Sequence, residues 1–160
     1  MIIKGASVMR GNHFKSAESC FLDPEKTWLL TGDLGYYDEN GLLYIAGRKK
    51  NMVIRGGEKV YLEDIDVCLS ELAGVAESAT VQFDEADVEK IACIVVLSPG
   101  SQLSSFDISS YIRARMGQFK CPDTIIFQDK IPRTATNKVR SGELRNVARH
   151  YQAKNGSNRS

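Results

Sequence analysis

Asp33 and Arg48 flank a short segment whose two apolar runs, Leu34–Tyr37 and Leu42–Ile45, enclose Asp38-Glu39-Asn40-Gly41. Asn-Gly between apolar runs is a strong hairpin signal, because both residues tolerate the positive φ that tight turns need. A hairpin folds Asp33 back toward Arg48. A carboxylate accepting paired hydroxyl hydrogens, beside a guanidinium donating to oxygens, suits a ribose or another diol. An ordinary hairpin with a turn aspartate and a surface arginine fits the same residues. Gly56-Gly57 offers backbone without a Cβ, either for a simple turn before Val60 or for the close passage of a thin ligand. Lys138 ends Pro132-Arg133-Thr134-Ala135-Thr136-Asn137-Lys138, a loop stiffened by a fixed-φ proline and β-branched threonines. Taken alone, it reads as a solvated lysine before a helix.

The elements that must position these groups follow from the spacing of apolar residues. Residues 1–12 read as short strands around a turn, Lys15–Cys20 as a helical turn, and Asp23-Pro24-Glu25 as a loop. Trp28–Leu30 leads into the loop that carries Asp33. Met52–Ile54 is a short strand. Leu62, Ile65, Leu69 and Leu72 recur at helical spacing, with Glu63, Asp64 and Asp66 at the positive end of the helix dipole. Val75–Phe83 alternates as a strand, with Glu77 as the exception, and Asp84–Glu89 turns into a second strand, Lys90–Leu97. Ser104–Asp107 opens a helix whose face takes Phe106, Ile108 or Ser109, Ile112 and Met116. Thr124–Phe127 is a third strand, and the last helix runs from Ser141 to Tyr151. There are no internal repeats. The alternation predicts a small α+β domain, a short sheet covered by helices.

Composition narrows the function classes. The 160 residues are 42% apolar and 26% charged, as in a globular protein. No apolar run approaches a membrane span; the longest, Ile91–Leu97, has the length of a buried strand. Cys20, Cys68, Cys93 and Cys121 form no C-x-x-C pair, and His13 and His150 lie near opposite ends. These point to no metal site and to reduced packing cysteines in a cytoplasmic protein. From Lys130 onward eight basic residues face one acidic residue, Glu143, whereas the preceding 129 hold thirteen basic and nineteen acidic. A basic tail suits nucleic acid or a phosphate-rich small ligand, and the lack of interleaved aromatics argues against nucleic acid.

The order of the motifs carries more than any one of them. Thr31-Gly32-Asp33, then Gly47-Arg48-Lys49-Lys50, then Gly56-Gly57-Glu58 with Leu62–Asp66, then Pro132–Lys138, closely resembles the C-terminal part of the adenylate-forming enzymes. That superfamily includes acyl-CoA synthetases, peptide-synthetase adenylation domains and luciferases. The resemblance covers residues 1 to about 148. It implies an α+β lid with a short, mostly antiparallel sheet flanked by helices, over residues 49–151. The lid follows a β-rich end of a large N-terminal domain, residues 1–48, and precedes a frayed tail, 152–160.

By this resemblance Lys138 is catalytic, contacting the carboxylate and the phosphate oxygens during adenylate formation. Asp33 and Arg48 hold the ribose of ATP, Ile45 lines the same site, Lys50 is the hinge, and Gly56 and Gly57 line the pantetheine tunnel of CoA. Lys120 and Pro122 match a structural Lys-x-Pro loop. The implied function is the C-terminal part of an ATP-dependent carboxylate–CoA ligase, with Mg2+ held mainly by the absent N-terminal domain. A small carboxylic acid is the implied substrate. The alternative is a non-catalytic interaction or dimerisation module that keeps the lid fold and docks through apolar surface near residues 1–30.

Departures from the pattern are Asn137, where glycine is usual, Gly142, where arginine is frequent, and Asp64-Ile65-Asp66 for Glu-Ile-Glu. Asn is the non-glycine residue most tolerant of left-handed φ, so the loop shape is expected to survive. The Ser/Thr/Gly-rich phosphate loop and the aromatic-Gly-x-Thr-Glu adenine segment do not occur. Asp33 and Arg48 supply a few hydrogen bonds of about 0.5–1.5 kcal/mol each. Micromolar binding needs about 8 kcal/mol. Alone, the chain is expected to bind ATP poorly and turn over nothing.

Overall fold

A computed structural model describes residues 1–9, 20–86 and 88–156. The expectations for residues 10–12 and 15–19 lie outside the described residues. The chain divides into two compact units that part between Lys50 and Asn51.

Among its described residues the first unit holds two antiparallel pairs. Strand β1 (Ile2–Lys4) pairs with β2 (Trp28–Leu30), so the segment that leads into Thr31-Gly32 is itself a strand. The Lys4 ammonium lies 5.2 Å from the centre of the Trp28 ring, a cation–π contact. The chain bends back at Asp23, whose carboxylate accepts from the Thr27 hydroxyl and the backbone N–H groups of Thr27 and Trp28. Strand β3 (Asp33–Tyr37) pairs with β4 (Leu43–Arg48), and Tyr36 stacks on Tyr44 at 5.5 Å between ring centres.

The β3–β4 turn differs from the expected Asn-Gly form. Only Gly41 among its residues has positive φ, 79°. The Asp38 carboxylate closes the turn by accepting from the N–H groups of Asn40 and Leu42 at 2.9 and 2.8 Å. An aspartate side chain that takes these donors removes the need for a second left-handed residue.

The second unit holds β5 (Met52–Arg55), β6 (Glu58–Tyr61), α1 (Leu62–Ser70), β7 (Val75–Glu85), β8 (Val88–Leu97), α2 (Ser105–Met116), β9 (Thr124–Phe127) and α3 (Ser141–Gly156). The three-stranded sheet runs β7-β8-β9, antiparallel across the first pair and parallel across the second. Central β8 is apolar on both faces because both are covered. Ile91, Cys93 and Val95 pack with Ile65 and Leu69 of α1, Ile108 and Ile112 of α2, and Val53 and Val60 of the β5–β6 hairpin. Ala92 and Ile94 pack with Val81, Phe83, Ile131, and Leu144 and Ala148 of α3. Burial pushes the Cys68 and Cys93 thiols above their usual values, as befits packing residues.

Three expectations shift in detail. Asp66 does not serve the helix dipole: it turns onto β7 and accepts from the Ser78 hydroxyl and from the backbone N–H and hydroxyl of Thr80. The polar alternate positions of β7 thus face α1 and find their partner there. Phe106 stands outside the α2 core at 74% exposure, whereas Ser104 and Asp107 form a reciprocal capping box. Helix α3 continues past Tyr151 to Gly156, where Gln152 accepts from the Thr124 hydroxyl at 3.3 Å.

Candidate functional site

Asp33 and Arg48 are cross-strand partners at the open end of β3–β4, with Arg48 Nε 3.2 Å from Asp33 Oδ1. The Thr31 hydroxyl accepts from the Asp33 N–H at 3.1 Å, and the Lys49 N–H donates to the Gly32 carbonyl at 2.8 Å. A bulge at Ala46 lies between the Leu34–Gly47 and Gly35–Ile45 pairs and gives Gly47 a φ of 149°. The extra residue bends the strand and re-aims the corner. Asp33 is largely sheltered while the Arg48 side chain is 70% exposed, so the guanidinium keeps donors free for a second partner. Ile45 is exposed on the same strand.

Lys50 sits in a single 3-10 turn, Lys49–Asn51, and is exposed. The break between the two units falls immediately after it. On the far side, the Asn51 amide donates to Glu63 Oε1 at 2.6 Å.

Gly56 and Gly57 form a two-residue turn between β5 and β6, with φ of 57° and 86°. Positive φ at both positions marks a type I′ hairpin turn. A Cβ on Gly56 would stand 2.7 Å from the Phe119 ring, whereas Gly57 faces open space. The turn is fastened by Arg55, which pairs with Asp123 and donates to the Cys121 carbonyl at 2.9 Å. Lys120 pairs with Asp64 at 3.5 Å and Pro122 is buried, so the Lys120–Pro122 loop is tied into the unit.

Lys138 rides on a second tight hairpin. Arg133 and Val139 are bridge partners, the Thr134 N–H donates to the Lys138 carbonyl at 2.8 Å, and the Asn137 N–H donates to the Thr134 carbonyl at 2.9 Å. Asn137 has φ of 61°. This is a turn over Thr134–Asn137 whose last residue is left-handed, the three-residue hairpin with a G1-type bulge. Its fourth position demands left-handed backbone, which explains both the preference for glycine and the acceptability of asparagine. The Thr134 hydroxyl accepts from the Lys138 N–H at 3.1 Å. The Lys138 side chain is exposed, and among the described residues its ammonium has no ion-pair partner.

Residues 64–138 match the family model of the AMP-binding enzyme C-terminal domain. Indoleacetate–CoA ligase of Aromatoleum aromaticum is 33% identical over 150 residues, which make up 92% of this chain and 29% of that protein. The chain belongs to the adenylate-forming superfamily. A long-chain-fatty-acid–CoA ligase of Bacillus subtilis is also 33% identical, over 87% of this chain and 25% of its own length. ATP-bound MatB from Rhodopseudomonas palustris superposes with a TM-score of 0.71 at 33% identity, over 82% of this chain and 26% of that one. The o-succinylbenzoate CoA synthetase of Bacillus subtilis, in complex with its acyl-adenylate intermediate, superposes with a TM-score of 0.72 at 29% identity, over 89% of this chain and 29% of that one. This member of the adenylate-forming superfamily thus spans less than a third of the length of the curated relatives it matches.

Two residues of this superfamily member received no role from its sequence. Glu77 and Arg133 meet beside the Lys138 hairpin. The signal was the break that Glu77 makes in the apolar alternation of β7.

Proposed function

We propose that this chain acts as the C-terminal part of an ATP-dependent carboxylate–CoA ligase. In the first step a carboxylate oxygen attacks the α-phosphorus of ATP. The bond from that phosphorus to the bridging oxygen breaks, and pyrophosphate leaves. Negative charge grows on the phosphoryl oxygens, and the Lys138 ammonium stabilises it. Asp33 accepts the ribose hydroxyl hydrogens and Arg48 donates to neighbouring oxygens, with Ile45 against the nucleotide. In the second step the CoA thiol sulfur attacks the acyl carbon, AMP leaves with the electron pair of the acyl C–O bond, and the thiol proton passes to solvent. Gly56 and Gly57 give the pantetheine arm a close path along backbone, and the chain turns at Lys50 between the two steps.

The observation that carries this reading is the state of Lys138: exposed, unpaired among the described residues, and mounted on a hairpin with a defined backbone. The first unit adds support. Among its described residues only Phe21 is a buried apolar side chain, while Tyr37, Leu42 and Ile45 stand out of any core. That much exposed apolar surface fits a unit that packs against further protein. The phosphate loop, adenine site, Mg2+ ligands and acyl pocket belong, in this proposal, to that further protein, and residues 1–160 alone are inactive.

The test is exchange of labelled pyrophosphate into ATP by the complete ligase across a panel of carboxylic acids. Exchange that requires an acid, together with release of AMP when CoA is added, is the expected result. Exchange supported by no acid would refute the proposal and favour an interaction module.

A further inference from the structure

Arg133 closes the Lys138 hairpin from its opposite strand, and its guanidinium is used along two edges. Nη1 donates to the Asn137 carbonyl at 2.7 Å. Nε, at 3.1 Å, and Nη2 both donate to Glu77 Oε1. Glu77 lies on the Ala79, Val81 and Phe83 face of β7 by plain alternation, and a bulge sits immediately before it. Val75 pairs with Leu97 and Glu77 with Val96, so Ala76 is the extra residue. The bulge turns Val75 toward the α1–α2 face, where it packs, and leaves Glu77 at the end of the face that carries α3 and Ile131.

A planar guanidinium bonded along both edges fixes an angle as well as a distance. One edge is held by the sheet and the other by the carbonyl that precedes Lys138. We propose that Glu77 and Arg133 are positioning residues for the Lys138 ammonium: they lock the hairpin that carries it at one orientation to the sheet. This rests on Lys138 being the adenylation lysine. As a stabilising pair the two matter little, since their side chains are 33% and 36% exposed and such pairs contribute almost nothing to folding. As a brace they matter more, because a reacting group displaced by about 1 Å loses on the order of a hundredfold in rate.

The experiment is single-turnover adenylate formation by the complete ligase carrying Arg133→Ala, Lys138→Ala, or both. Arg133→Ala is expected to slow the step about tenfold or more, with the KM for ATP and the melting temperature near the parent's. The double variant is expected to be no slower than Lys138→Ala. Arg133→Lys, which keeps the charge but not the fork, should resemble Arg133→Ala. Glu77→Gln, whose amide oxygen still accepts, should fall closer to the parent than Glu77→Ala, and it carries the comparison if Arg133→Ala does not fold. In the 160-residue chain, Arg133→Ala should speed hydrogen exchange at the Asn137 and Thr134 amides. A slow Lys138→Ala beside a parent-like Arg133→Ala would overturn the brace and leave the ligase reading standing. Additive losses in the double variant would also overturn it, because Arg133 would then act on substrate directly. A parent-like Lys138→Ala would overturn both.

Discussion

The left-handed backbone at Asn137 makes a quantitative demand on the residue beside Lys138. Its φ of 61° is one that a side chain with a Cβ adopts at a cost of about 1–2 kcal/mol, which asparagine mitigates and glycine avoids. Asn137→Ala should therefore weaken closure of the hairpin by about 1 kcal/mol, and Asn137→Val by about 2 kcal/mol because β-branching adds crowding. Asn137→Gly should lie within about 0.5 kcal/mol of the parent, since relief of strain is offset by the greater freedom of glycine in the unfolded chain. The hairpin can open without the sheet, so the losses belong in local exchange more than in global unfolding. One to two kcal/mol corresponds to roughly 5- to 30-fold. Hydrogen exchange followed at the Asn137 and Thr134 amides, whose acceptors are the Thr134 and Lys138 carbonyls, reads this directly. The expected order is Gly near Asn, then Ala, then Val. Equal protection in the alanine and glycine variants would refute the reasoning, because the position would then not require left-handed backbone.

Arg48→Ala should leave the melting temperature nearly unchanged, since the exposed pair with Asp33 contributes at most about 1 kcal/mol, while raising the KM for ATP in the complete ligase. Unaltered KM values would remove Arg48 from the nucleotide site. The α2 capping box supplies a pH test. The Ser104 hydroxyl and backbone N–H hold the Asp107 carboxyl below its usual value of 3.8. Its contribution is therefore complete above the unfolded value and fades as pH falls through the lower folded one. Asp66 has the opposite sign: burial raises its value, so its contribution falls as pH rises from 3.8 through the raised folded value. Urea titrations of the parent and Asp107→Asn isolate the first effect. The stability gap between them should be full near neutral pH and close as pH falls below 3.8 through the lowered folded value. A gap independent of pH would contradict the box.

Much of the fold is legible because local pattern and burial agree. Ile91–Leu97 reads as a buried strand from its unbroken apolar run, and the covering of both sheet faces is the reason for that run. The Ser104 cap and the Leu62–Leu69 face of α1 follow from residue type and spacing. Long-range pairing is less legible. Nothing local in Trp28–Leu30 says that its partner is Ile2–Lys4, because the pairing depends on residues far away in the chain. Phe106 fits the helical period of α2, yet the sheet already has Ile108 and Ile112 against it. At the candidate site, residue types and order singled out Lys138, Asp33, Arg48 and the glycine turn as candidates. The brace was hidden: Glu77 looked like a lapse in an alternating strand, and its partner Arg133 lies 56 residues further along the chain. The β3–β4 turn was hidden as well, since the Asp38 side chain does work that the pattern assigned to Asn40.

The central claim is that one exposed ammonium stabilises the charge of adenylate formation. Its most direct measurement separates the two half-reactions of the complete ligase in the Lys138→Ala variant. Formation of acyl-adenylate from acid and ATP should fall by at least about a hundredfold, the usual scale for losing one electrostatic contact made in the transition state. Thioester formation from supplied acyl-adenylate and CoA should stay near the parent rate. Adenylate formation at the parent rate in that variant would contradict the account.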